Sequence, residues 1–251
     1  MDAEARRAAM RAARERRRAE LVGARMLGPA VRELDFVVRE GSPVAFAPGQ
    51  YVNLHLAGRS DAPLARSYSM AAAPRADGRL RFAVTRVEGG PGSEALHGLP
   101  VGAELELDGP WGVFTLDRAP EDAPLLFVAT GTGLTPIRAM LEAELASGRE
   151  RRVGLLFGCR TEADRLWPEE LAEWAAAHER LAIWTTLSKG SEAWEGRRGW
   201  VQGHLAAALA ELGGEPHAFV CGLRAMIDAV RAALKETHGF DRKRIHTERY
   251  D

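Results

Sequence analysis

The sequence predicts two domains: an N-terminal antiparallel β-barrel, then an α/β unit built on a doubly wound parallel sheet. Three observations carry this. Across residues 22–116, short runs that alternate apolar and polar residues are separated by turn residues. From residue 125 onward, apolar strand-like runs alternate with helical patterns. Between the two, residues 117–124 are rich in proline and acid, which places the boundary there. The expected division is a leader over 1–20, a barrel over 21–118 and the α/β domain over 119–251.

Composition allows two cores: the chain has 251 residues, 46% of them hydrophobic. A net charge of -1 gives no bulk attraction to nucleic acid or to a membrane surface. No apolar stretch reaches the roughly 18–20 residues that a bilayer span needs. The first 20 residues hold seven arginines among Ala and Glu, which predicts an exposed helix. That helix is either a solvated leader or a basic handle for an acidic partner such as a ferredoxin. It lacks the apolar core of a secretory signal, so the cytoplasm is the expected compartment. The two cysteines, Cys159 and Cys221, are too few for the four thiolates of a plant-type [2Fe–2S] centre.

The barrel strands are expected at 34–38, 50–56, 80–87, 104–107 and 113–116, with one short helix over 93–98. The second half is expected to place strands at 125–129, 153–157, 182–187, 218–221 and 245–250. Its helices are expected at 136–146, 168–178, 204–211 and 224–235.

In a doubly wound sheet, ligands bind at the carboxyl ends of the strands. Four such ends stand out: Gly131-Thr132-Gly133, Gly158-Cys159-Arg160-Thr161, Ser188-Lys189-Gly190 and Cys221-Gly222. Glycine lets a ligand approach the backbone, and Arg160 and Lys189 suit phosphate. The set predicts a nucleotide crevice. In the barrel half, Arg66-Ser67-Tyr68-Ser69 alternates, with Arg66 and Tyr68 on one strand face and Ser67 and Ser69 on the other. Gly89-Gly90-Pro91-Gly92-Ser93 opens the short helix. Its free N–H groups and the Ser93 hydroxyl either hold a phosphate or form an ordinary helix cap.

The order of these motifs resembles the ferredoxin–NADP reductase superfamily over roughly residues 20–250. Arg-x-Tyr-Ser is followed by Gly-x-x-Ser, Gly-Thr-Gly-x-x-Pro and Cys-Gly. The resemblance implies a barrel that binds FAD and a second domain that binds NAD(P)H. It assigns Arg66, Gly92 and Ser93 to the FAD pyrophosphate, Tyr68 to stacking on the isoalloxazine, and Ser69 to the neighbourhood of N5. Thr132, Gly133 and Thr135 would line the nicotinamide dinucleotide's pyrophosphate, with Cys221 and Gly222 by the nicotinamide ring. Glu248 and Tyr250 would approach the flavin's other face. Two positions depart from the pattern: Leu223 stands where many relatives have proline, and Asp251 follows Tyr250.

The implied reaction is hydride transfer from nicotinamide to flavin, then delivery of single electrons to a separate carrier such as a ferredoxin, a flavodoxin or a Rieske protein. Reduction of free flavin or another small molecule, or a non-catalytic relay subunit, are the alternatives. The nicotinamide choice stays open. Arg160 and Lys189 argue for a 2′-phosphate and Glu162 and Asp164 for a free ribose hydroxyl, while Arg197 and Arg198 suit either phosphate.

Overall fold

The structure, a computed structural model, describes residues 10, 12–56 and 64–250. The barrel half comprises β1 (Arg17–Met26), β2 (Val31–Glu40), β3 (Tyr51–Leu56), β4 (Leu64–Ser69), β5 (Arg79–Thr85) and β6 (Glu104–Trp111). They form one antiparallel sheet in the order β4-β3-β6-β1-β2-β5. Alternation explains which side is filled: Val52, Leu54 and Leu56 of β3 turn inward while Tyr51, Asn53 and His55 stay half-buried. Leu21, Leu34, Phe36, Phe82 and Leu107 complete this core. The sheet curls on itself. The chain leaving β4 donates from the Ala71 N–H to the Arg81 carbonyl on β5, 2.7 Å away, and α1 (Pro91–Gly98) lies against β5 and β4.

The second half comprises β7 (Leu125–Thr130), β8 (Val153–Cys159), β9 (Leu181–Leu187), β10 (Arg197–Arg198), β11 (His217–Gly222) and β12 (Ile245–Arg249). All pair in parallel, in the order β10-β9-β8-β7-β11-β12. β7 and β8 are almost continuously buried, as strands covered on both faces must be. α2 (Leu134–Ala146) and α3 (Pro168–Ala177) cover one face. α4 (Leu205–Leu212) and α5 (Arg224–Ala232) cover the other. The strand order reverses between β7 and β11. That is the topological switch point, where a crevice opens beyond the strand ends.

Three expectations need correction. Residues 17–20 are strand, not leader helix. β1 pairs with β2 and β6, and Arg17 is buried, donating to the carbonyls of Ala12, Ser42 and Gly109. Arg16 and Arg18 are paired with Glu106, Glu40 and Glu104. The rest of the expected helix, apart from residues 10 and 12–13, lies outside the described residues or is not helical. The expected strand at 113–116 is irregular chain entering a single 3₁₀ turn, Leu116–Arg118. Val113 is exposed there, while Phe114 packs edge-on against Phe219 of β11. Finally, the last helix changes to a π-turn over Ala233–Thr237.

Candidate active site

On the barrel side the site is built on β4. Arg66 is exposed and runs its side chain over Gly92, where an added Cβ would lie 2.8 Å from the Arg66 Cγ. Two motifs 26 positions apart in sequence therefore form one surface: a guanidinium beside the N-terminus of α1. Ser93 does not share that surface. Its hydroxyl is buried, accepts from the Val87 N–H at 3.0 Å and faces the Gly90 carbonyl at 3.1 Å. In this position the hydroxyl braces the loop. Tyr68 is half-buried, and burial raises its phenol pKa.

Ser69 ends β4 and reaches the other domain, donating to the Glu248 carboxylate at 3.2 Å. Glu248 lies on β12 in register with Cys221 on β11. Burial pushes the Glu248 pKa up to about 7, with the Ser69 hydrogen bond opposing. Cys221 is fully buried, and burial holds its thiol well above the ordinary range, so it stays neutral and is no nucleophile. The Tyr250 backbone is anchored to the Gly222 carbonyl at 3.0 Å. Its ring packs beside the core, and its hydroxyl is buried without a partner among the described residues.

The glycine turn after β7 is a 3₁₀ turn, Gly131–Gly133, that runs directly into α2. Gly133 packs on the end of β11, where a Cβ would lie 2.3 Å from the Cys221 carbonyl oxygen. Thr132 meets Thr85 of β5 across the interface at 3.1 Å. Thr135 is buried, and its hydroxyl has no partner among the described residues; the same holds for the Thr130 hydroxyl. Gly222 has φ +151 and lies so close to Thr130 and Met226 that a side chain there would collide with both.

Further along the crevice, the Lys189 N–H donates to the Arg160 carbonyl at 2.7 Å, so the ends of β8 and β9 carry two exposed cations side by side. The neighbouring acids are engaged. Glu162 accepts from the Ser191 N–H and hydroxyl, at 2.9 and 2.6 Å, which lowers its pKa. Asp164 closes a capping box with Thr161. Arg198 binds carbonyls of its own loop, and Arg197 lies over the Trp184 ring. Among the described residues no group of three His, Cys, Asp or Glu side chains could hold a metal.

Over 238 residues the chain is 46% identical to ferredoxin–NADP reductase B of Sorangium cellulosum, covering 93% of this chain and 97% of that one. The chain belongs to the ferredoxin–NADP reductase family. Residues 18–116 match the oxidoreductase FAD-binding domain and residues 127–232 the oxidoreductase NAD-binding domain. A second relative is the xylene/toluene monooxygenase electron transfer component XylA of Pseudomonas putida. It is 34% identical over 82% of this chain, which spans 58% of XylA's length. Among solved structures, the Amycolatopsis cytochrome P450 reductase GcoB superposes with a TM-score of 0.82 at 28% identity, covering 94% of this chain and 69% of that one.

This ferredoxin–NADP reductase relative is accordingly an FAD- and NAD(P)-binding oxidoreductase. The geometry suits both groups. Arg66 lies against the N-terminal turn of α1 at Gly92, a cation beside free helix N–H groups, and the Thr130, Thr135 and Tyr250 hydroxyls are buried without partners among the described residues. Thr130 gives no sequence signal of its own: it reads as the last residue of a buried strand.

Proposed function

We propose that this chain uses NADPH to reduce FAD and hands the electrons singly to a small carrier, a ferredoxin or a comparable iron–sulfur protein or flavodoxin. FAD, when bound, accepts two electrons from a reduced nicotinamide and releases them one at a time. In this reading Arg66 and the α1 N-terminus at Gly92 hold the flavin pyrophosphate, and Tyr68 stacks on the ring. Thr132, Gly133 and Thr135 seat the second pyrophosphate, and Cys221 and Gly222 form the floor under the nicotinamide. Glu248, buried and bonded to Ser69, holds or releases a proton near neutral pH beside the flavin. Tyr250 closes the stack.

The observation that carries this reading is the Ser69–Glu248 bond, which joins the flavin strand to the nicotinamide sheet. Arg160 and Lys189 favour NADPH, because Glu162 and Asp164 are already spent on Ser191 and Thr161. The carrier is proposed from the names of the relatives, which include the reductase component of the naphthalene 1,2-dioxygenase system.

The test compares NADPH-driven reduction of a ferredoxin with that of free FMN, using the flavin-loaded protein. Faster turnover with ferredoxin is expected; turnover only with free FMN would replace the carrier by a small-molecule acceptor. Replacing Arg160 and Lys189 by Ala is expected to lower kcat/KM for NADPH by about tenfold or more and to change NADH little.

A further inference from the structure

Arg138 is a buried arginine, 1% exposed, one turn into α2 from the glycine turn. Its guanidinium lies over the rings of both Trp167 and Trp174, at 5.2 and 5.1 Å from their centroids. It donates to Glu170 at 2.6 Å and to Glu142 at 3.3 Å. Its remaining reach is into the other domain, where it donates to the Ala71 carbonyl. Ala71 is two residues beyond Ser69, and its own N–H is held by β5. Glu142 also crosses the boundary, accepting from the Ala73 N–H at 2.8 Å. Trp167 crosses a third time: its indole N–H donates to Glu33 of β2, which is buried and paired with Arg25 at 2.6 Å.

These contacts converge on one junction. On one side is the helix that starts at the glycine turn; on the other is the chain that leaves the flavin strand. We infer that Arg138, held over Trp167 and Trp174, is a positioning residue that fixes the spacing between the nicotinamide turn and the flavin strand. The inference rests on the proposed reaction. It assigns Arg138 no contact with either cofactor.

The chemistry explains why arginine serves here. A planar fork serves Ala71, Glu142 and Glu170 together while the guanidinium lies over two indole rings. Lysine keeps the charge but offers neither the fork nor the plane. Rings held at reacting distance lose rate steeply when displaced, and a shift of about 1 Å can cost on the order of 100-fold. Loosening this junction therefore acts on the reacting distance and not on nucleotide affinity.

The experiment uses flavin-loaded wild type, Arg138→Lys and Trp167→Phe, the last keeping an aromatic ring beside Arg138 while removing the bond to Glu33 and part of the indole's volume. Three readings are taken: the rate of flavin reduction at saturating NADPH, the long-wavelength absorbance of nicotinamide stacked on flavin, and the calorimetric affinity for 2′,5′-ADP. For Arg138→Lys the expected result is a fall in the rate of about tenfold or more with a weakened stacking band and 2′,5′-ADP affinity within about twofold. Trp167→Phe should show the same pattern to a smaller degree, and it keeps the test open if the Arg138 variant fails to fold. Wild-type rates and bands in the folded variants would overturn the inference, as would a loss confined to 2′,5′-ADP affinity. Failure of the proposed reaction itself reads differently, as wild-type flavin that NADPH does not reduce.

Discussion

Gly133 leaves no room for a side chain, because the Cys221 carbonyl stands where a Cβ would go. Both partners are backbone, so neither can swing aside, and Gly133→Ala must separate the glycine turn from β11. The expected cost is about 3 kcal/mol, read as a lower midpoint in urea unfolding. Glu248 makes a prediction of a different kind. Its pKa is about 7 in the folded chain against an ordinary value of 4.5. Between those values the folded state binds more proton than the unfolded state, so stability falls as pH rises from about 4.5 to 7 and then levels off. Glu248→Gln abolishes that dependence, a difference of the order of 2–3 kcal/mol for the flavin-free chain. Urea unfolding at pH 5 and pH 8 measures it; equal slopes with pH in both proteins would contradict the assigned burial.

At the scale of elements, β4 and α1 work as a pair. The Arg66 side chain packs on Gly92, so the two elements bring a guanidinium to the N-terminus of α1, which the proposed function assigns to the flavin pyrophosphate. Arg66→Ala is expected to weaken FAD binding about 10–100-fold, the worth of a charge-assisted phosphate contact, and to leave the barrel folded. Fluorescence titration of the flavin-free protein measures it. The motifs on these elements were legible because each is a local pattern: alternation on β4, glycines before a short helix. Ser93 shows the limit. A serine at a helix start reads the same whether its hydroxyl faces a ligand or braces a loop, and only the placement of Val87 decides. Glu162 is similar, since Ser191 lies 29 positions away in sequence.

For the whole molecule, two domains and the order of their elements follow from periodicity, which changes near residue 120 from alternation to a strand–helix rhythm. β1 escaped that reading. Ala, Arg and Glu favour a helix locally, but pairing with β2 and β6 and the burial of Arg17 override the propensity. The domain interface escaped it as well. Thr85–Thr132, Ser69–Glu248, Trp167–Glu33 and Arg138–Ala71 each join residues at least 47 positions apart, and no window of sequence brings such pairs together.

The proposed function sets flavin against nicotinamide at that interface, where β5 meets the glycine turn and β4 meets β12. The most direct measurement is anaerobic stopped-flow mixing of the flavin-loaded protein with NADPH and with NADPH deuterated at C4. The prediction is rapid bleaching of the yellow flavin, slowed by the deuterium. A protein that retains no flavin, or whose flavin stays oxidised with both NADPH and NADH, would contradict it.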